Sequence, residues 1–406
     1  MQRQILPRAI ATNTRLSNLK TNCAILTKKS PQLSIRQDKE VQMKTVSDNL
    51  NIPNLTVKRL VEILTAIYGN AISGGKELKN IPTPFLWGPP GVGKSEGIRQ
   101  LASELESLTG KHIEVTDVRL LLYTPGDLLG IPVADSERKS AKWLKPKIFD
   151  MNPDGDTINI LFLDELSSAP QSIQSAAYQL CLDRKVGEHS LPDNCIIIAA
   201  GNRTTDRSVS YKMPKALCNR MMHFNIISEF TAWKQWAIDN DIASNIIAFL
   251  AMDNSRLYIT PDAEDLAYAT PRSWAFVSSV LELNDGDFIR AHDSIAACIG
   301  NDMAFEFESF CKGAINMPDL DEIFKGVCAD FPRGYDTVYA LISALIKRIH
   351  AYRDTVSTEE LDNICTYVKR FPKDFMMLFV SDLKTIHGIE SKLKNCVSLN
   401  SWLESN

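Results

Sequence analysis

The sequence predicts an α/β protein: a parallel sheet with flanking helices, followed by a helical lid and a helical C-terminal region. Three observations predict it. The first is the run Gly88, Pro89, Pro90, Gly91, Val92, Gly93, Lys94 and Ser95. It completes a G-x-x-x-x-G-K-[ST] motif between an apolar run, Pro84–Trp87, and a helical stretch, Ser95–Leu108. The second is the buried-strand pattern from Ile158 to Leu163, which ends in two acids, Asp164 and Glu165. The third is the change after Phe230, where helical periodicity takes over.

Composition sets the frame. The chain has 406 residues, 44% of them apolar, enough for two or three domains and an ordinary globular core. No uninterrupted apolar run approaches the roughly 20 residues that span a bilayer, so no membrane segment is expected. Nine cysteines lie scattered without metal spacing, which predicts reduced thiols in a cytoplasmic protein and no structural zinc. Residues 1–42 hold eight basic and two acidic residues, about +6, which leaves about −10 for residues 43–406 of an overall −4. An acidic body argues against a large non-specific DNA-binding surface.

Residues 1–42 show no helical or strand period. They read as a disordered basic tail, as an organellar transit peptide, or as a stretch upstream of the true start. In the third reading Met43 initiates, and Lys39-Glu40-Val41 can be encoded by a ribosome-binding sequence. Leu55–Asn70 carries apolar residues at helical spacing and predicts a short helix on the edge of the sheet domain. In the motif that follows, glycines let the backbone approach a polyphosphate and turn its N–H groups inward. Lys94 brings a cation to the β- and γ-phosphates, and the Ser95 hydroxyl can join the shell of Mg²⁺. ATP and Mg²⁺ are therefore the expected ligands.

His112–Val115 predicts a short strand. Residues 121–149 are punctuated by Pro and Gly and charged in the middle, which predicts an exposed insertion with a hairpin. At the carboxyl end of the strand 158–163, Asp164 can hold Mg²⁺ through water and Glu165 can orient and deprotonate the attacking water. Two acids in that place could equally cap the next helix; the complete motif some seventy residues upstream favours the catalytic reading. Ala169–Leu182 predicts an amphipathic helix, Lys185–Asn194 a polar turn, and Cys195–Ala200 a buried strand ending at Asn202. An Asn at such an end is most often a turn residue, yet beside the acids it can position water at the γ-phosphate. Lys215–Met222 predicts a helix with Arg220 near its end, followed by a strand His223–Ile227; Arg272 sits near the start of a later helix. Alone, each arginine could be an ordinary helix-end or surface residue.

In this order the pieces resemble the AAA+ ATPases, and within them the MoxR-like group of the helix-2-insert clade. The likeness covers roughly Leu55–Val280. It rests on GPPGVGKS (88–95), YTPGDLLGIP (123–132) with KWLKP (142–146), LFLDELSSAPQSIQSAAYQL (161–180), AAGNR (199–203), MPKALCNRMMHF (213–224) and TPRSW (270–274). The resemblance implies Lys94 and Ser95 in Walker A, Asp164 and Glu165 in Walker B, and Asn202 as sensor 1. It implies Arg220 as an arginine finger acting on a neighbouring subunit, Arg272 as sensor 2 on the lid, and residues 123–149 as an insert facing a central pore. It also implies a homo-oligomeric ring, a hexamer, that remodels a protein substrate, often with a von Willebrand A-domain partner. The expected division is an α/β domain over 43–228, a lid over 229–285 and a C-terminal region over 286–406. Two departures stand out: Ser167 replaces the family's usual Asn, and the charges of Arg203, Asp206 and Arg207 have no assigned role. Two other readings remain: a nucleic-acid motor, with Arg138, Lys139, Lys142, Lys145 and Lys147 on the insert, and an ATP-binding switch with little turnover.

Overall fold

The computed structural model describes residues 51–135, 140–203, 206, 211, 213–262, 264–328, 330–332 and 334–405. The readings of residues 1–42 and of Met43, Arg138, Lys139 and Arg207 lie outside the described residues.

The sheet domain begins with β1 (Asn54–Leu55) and α1 (Val57–Ser73), then β2 (Pro84–Trp87) and α2 (Lys94–Thr109). It continues with β3 (His112–Arg119), α3 (Pro125–Leu129), β4 (Ile131–Asp135), β5 (Ser140–Leu144), β6 (Thr157–Asp164) and α4 (Gln171–Asp183). The ribbon β7 (Lys185–Val186) and β8 (His189–Ser190) precedes β9 (Cys195–Gly201), α5 (Lys215–Cys218) and β10 (Met222–Ile226). Six of these strands form one parallel sheet in the order β1-β10-β2-β9-β6-β3. The alternation along β6 explains its burial. Ile158, Ile160 and Phe162 pack into the core beneath α1 and α2, whereas Leu161 and Leu163 face the core that holds α4. The phosphate loop leaves β2 in the middle of the sheet, so the neighbouring strands β9 and β6 deliver their carboxyl ends beside it.

Several boundaries differ from expectation for physical reasons. The strand from His112 runs on to Arg119, because every residue of β3 pairs with β6, down to Arg119 opposite Asp164. The polar turn of 185–194 contains the β7–β8 ribbon, closed by a left-handed Gly187. The helix from Lys215 stops at Cys218 instead of reaching Met222, which leaves Arg220 in the turn that follows. His223 hydrogen-bonds the carbonyl of Cys218 (2.8 Å), and Met222 already pairs with Pro84 in the sheet, so the chain must abandon the helix within three residues. Ile131–Asp135 and Ser140–Leu144 form an antiparallel ribbon, β4 against β5, with Ile131, Val133 and Leu144 exposed along it.

From Phe230 onward the chain is helical: α6 (Phe230–Asp239), α7 (Ser244–Met252), α8 (Pro271–Leu283), α9 (His292–Ile299), α10 (Asn301–Gly313), α11 (Leu320–Phe324), α12 (Tyr335–Ala351), α13 (Thr358–Val368), α14 (Lys373–Leu383), α15 (Glu390–Lys394) and α16 (Val397–Ser405). One apolar core, centred on Trp274, Phe249 and Phe307, runs through these helices from Phe230 to Leu399. Among the described residues no helix is long and apolar enough to cross a membrane.

Inside that core Lys234 of α6 meets Asp382 of α14 at 2.6 Å, both side chains nearly fully buried. Burial pushes the Asp382 carboxyl above its ordinary range, and the Lys234 ammonium pulls it back. Removing one partner strands the other charge, so Asp382→Ala is expected to destabilise by about 3–5 kcal/mol in urea unfolding. The double replacement Lys234→Met with Asp382→Leu is expected to recover most of that loss; equal loss in both would contradict a buried pair.

Candidate nucleotide site

The site assembles where β2, β6 and β9 end. Gly93 adopts φ 100°, a left-handed conformation, and Lys94 opens α2 directly behind it. The Lys94 ammonium turns back onto its own loop: it donates to the carbonyls of Gly88 (2.6 Å) and Pro89 (3.1 Å) and to Oδ1 of Asn202 (3.1 Å). Ser95 donates to Oδ2 of Asp164 at 3.3 Å. Glu165 follows with φ 58°, its N–H held by Oδ1 of Asp164 (2.8 Å). That left-handed residue follows the end of the strand. The Glu165 carboxylate is half-buried and has no hydrogen-bond partner among the described residues.

Thus two hydrogen-bonded pairs, Lys94 with Asn202 and Ser95 with Asp164, stand side by side through the adjacent residues Lys94 and Ser95, and Glu165 follows Asp164. Ser167 explains itself here. Its hydroxyl donates to the carbonyl of Asn202 (2.8 Å), and a Cβ on Gly201 would lie 2.6 Å from that oxygen. The small residue at 201 lets the β6 and β9 termini close on each other. Arg203 clamps Asp206 (2.7 and 2.8 Å) and reaches Asn225 (3.3 Å), which fixes the chain just beyond Asn202. Arg220 stands apart: its side chain is exposed and makes no hydrogen bond or ion pair among the described residues. Arg272, also exposed, lines a cavity that borders the phosphate loop.

That cavity, about 320 Å³, lies between the loop, α1, α6 and α8. Val57, Trp233, Trp236 and Phe276 supply apolar wall, and Gly91, Gly93 and Ser95 open it to the phosphate loop. Two contacts bring the helical region onto the loop. Trp236 donates to Glu96, the residue after Ser95, at 3.1 Å. A Cβ on Gly91, itself at φ 81°, would lie 2.9 Å from the hydroxyl of Thr270, the N-cap of α8. The sequence reading missed Glu96, Trp233, Trp236 and Thr270. The i, i+3 tryptophan pair on α6 is a signal in hindsight, although such a pair is usually plain core.

Burial lowers the Lys94 pKa to about 8, against the opposing pull of Asp164 and Asp206. Below pH 8 both folded and unfolded chains carry this proton, and the buried charge weighs on the folded state. Between about pH 8 and the ordinary lysine value of 10.5 the folded state sheds the proton first, so this group's contribution to stability improves as pH rises. Phosphate binding requires the charged form. Triphosphate affinity is therefore expected to fall as pH passes from 7 to 9 while the ligand-free protein gains stability. Isothermal titration at pH 7, 8 and 9 measures the first, and an unchanged affinity would contradict it.

The hydroxyl of Ser95 and the carboxylate of Asp164 offer hard oxygens at the loop mouth. They fit Mg²⁺, which takes one or two protein oxygens together with phosphates and water. Among the described residues no cluster of three or more His, Cys, Asp or Glu competes as a metal site.

Residues 84–223, about a third of the chain, match the family model described as the ATPase family associated with various cellular activities (AAA). No curated protein matches the chain. Among solved structures it is similar to a RuvB variant from Thermotoga maritima, at 16% identity, covering 74% of this chain and 87% of that one with a TM-score of 0.36. It is also similar to PCH-2 of C. elegans, at 15% identity, covering 63% and 70% with a TM-score of 0.33. NtrX from Brucella abortus follows at 13% identity, covering 75% and 64% with a TM-score of 0.31. The family-model match together with the loop and strand-end chemistry supports the AAA+ ATPases as the class of protein.

Proposed function

We propose that this chain is a Mg²⁺-dependent ATPase of the MoxR-like kind that works as a homo-oligomeric ring, a hexamer, and remodels a protein partner. The observation that carries the ATPase reading is the convergence of Lys94, Ser95, Asp164 and Asn202 on one strand-end cluster, with the uncommitted Glu165 carboxylate beside it. Lys94 exchanges its loop carbonyls for β- and γ-phosphate oxygens. Bound Mg²⁺ would offset phosphate charge between Ser95 and Asp164. Asn202 orients the attacking water, and Glu165 takes its proton at a carboxylate oxygen. Arg272 approaches the phosphates from the lid. Arg220, with no side-chain partner among the described residues, serves the site of a neighbour. Such a head-to-tail contact closes into a ring or runs on as a filament.

The ribbon β4–β5 supports a protein as the partner. Exposed Ile131, Val133 and Leu144 lie along it, with Lys142 directly opposite Val133. A von Willebrand A-domain protein is the partner that the family likeness suggests. The same ribbon, with exposed Lys142 and nearby Lys145 and Lys147, also supports the nucleic-acid motor reading. One assay series separates them. Purified protein is expected to release phosphate from ATP only with Mg²⁺, to lose that activity in Lys94→Ala, and to assemble with a non-hydrolysable ATP analogue in light scattering. Salt-sensitive stimulation by DNA would move the reading to the motor. Tight ATP binding without turnover would move it to the switch.

A further inference from the structure

The peptide unit that joins Asn202 to Arg203 is held at both of its polar ends by side chains. Its carbonyl, on Asn202, accepts from the Ser167 hydroxyl (2.8 Å). Its N–H, on Arg203, donates to Oδ2 of Asp206 (2.7 Å). The other carboxylate oxygen of Asp206 accepts from the Arg203 guanidinium, from Nε at 2.8 Å and from Nη2 at 2.7 Å. The Asp206 side chain is only 3% exposed. Burying a carboxylate carries a desolvation cost that only close pairing offsets. A turn alone needs no such burial, since an exposed Asn or Ser can close it. The clamp also reaches beyond its own turn. In the sheet, β2 lies between β9 and β10. Arg203 follows β9, and its Nη1 donates to Oδ1 of Asn225 on β10 (3.3 Å), so one side chain links the two strands that flank β2. Asn225 pairs in the sheet with Trp87, the last residue of β2, and donates to Oδ1 of Asn54 on β1 (2.6 Å).

Resting on the ATPase reading of this site, we propose that Asp206 and Arg203 are positioning residues for hydrolysis, which act by fixing the backbone that aims Asn202. Among the described residues, the Asn202 carboxamide is held only by Lys94 (3.1 Å). When Lys94 moves to phosphate oxygens, that bond is given up. The carboxamide must then be aimed by its own backbone. Ser167 and Asp206 hold the peptide unit next to it, and Arg203 ties that unit to the strand beside the root of the phosphate loop. Neither Asp206 nor Arg203 needs to touch the nucleotide. Their contribution falls on the reaction step, where the water must be oriented, and not on the affinity for ATP.

Steady-state hydrolysis and calorimetric ATP binding, both on the full chain with Mg²⁺, test the proposal. Asp206→Ala is expected to lower kcat about 10–100-fold and to leave KM and the ATP Kd within about threefold of wild type, as misplacement of a reacting group does. Asn202→Ala is expected to lose at least as much. The double variant Asn202→Ala with Asp206→Ala is expected to be no slower than Asn202→Ala alone, because Asp206 acts through Asn202. Ser167→Ala frees the other end of the same peptide unit. It is expected to show the same split and the same lack of additivity, so the test stands even where Asp206→Ala does not fold. Wild-type kcat in either folded variant, or losses that multiply with that of Asn202→Ala, would overturn the assignment and leave the ATPase reading standing. So would a parallel loss of ATP binding, which marks a general structural role. A wild-type chain that binds ATP without turning it over would remove the ATPase reading, and this assignment with it.

Discussion

Glu165→Gln is expected to bind ATP normally and to lose about 10²–10⁴-fold in turnover, the usual loss when a general base is removed. The expectation follows from what the carboxylate does not touch. Asp164 is engaged with Ser95 and with the N–H of Glu165, and Lys94 and Asn202 hold each other. Glu165 brings a carboxylate with no hydrogen-bond partner among the described residues, on a left-handed backbone at φ 58°. The amide of Gln has nearly the same shape and cannot take a proton from water. Rapid-quench turnover and equilibrium ATP binding separate the two effects. A variant that loses binding and turnover in proportion would place Glu165 in the binding machinery instead.

Arg220→Ala is expected to bind ATP nearly as well as wild type and to turn over about 10³–10⁵-fold more slowly, the range that arginine fingers supplied in trans contribute. The guanidinium lies in the exposed turn between α5 and β10 with no ion pair among the described residues. The turn is anchored from behind: His223 hydrogen-bonds Cys218 on one side of its ring and accepts from Trp87 (3.0 Å) on the other. Trp87 is the last residue of the strand that enters the phosphate loop. Mixing inactive Arg220→Ala with inactive Glu165→Gln is expected to restore part of the activity in a concentration-dependent way, because some interfaces then pair an intact Glu165 with a neighbour's intact Arg220. If mixed assemblies form and stay inactive, Arg220 acts within its own chain or several intact interfaces are needed at once. Wild-type turnover in Arg220→Ala alone would remove the finger assignment.

The sheet domain was legible because its signals are local. A phosphate loop needs glycines and a lysine at fixed offsets, and a strand buried on both faces must be apolar throughout, as β6 and β9 are. Asp164 and Asn202 could be paired with Lys94 from order alone, since each follows such a strand. The cavity was not legible, because its walls come from α1, α6 and α8, far apart in sequence. Trp233 and Trp236 look like any core aromatics until α6 is seen against α2. Ser167 looked like a departure until Gly201 was found against it: the two residues are 34 positions apart and one van der Waals contact away. The early stop of α5 was hidden for a similar reason, since a sheet pairing at Met222 overrides the helical pattern.

The pairing of Lys234 with Asp382 has a consequence for synthesis. The two residues are 148 positions apart, and the helix that carries Lys234 also carries the two tryptophans of the cavity wall. While the chain emerges from the ribosome, that helix has no partner for its buried ammonium until α14 has been made. The phosphate loop and both strand-end acids are complete some two hundred residues earlier. A nascent chain therefore holds Lys94, Ser95, Asp164 and Glu165 well before α14 can close the core around α6. A chain interrupted short of α14 would be left with an unfinished core, open to the proteases that clear incomplete products.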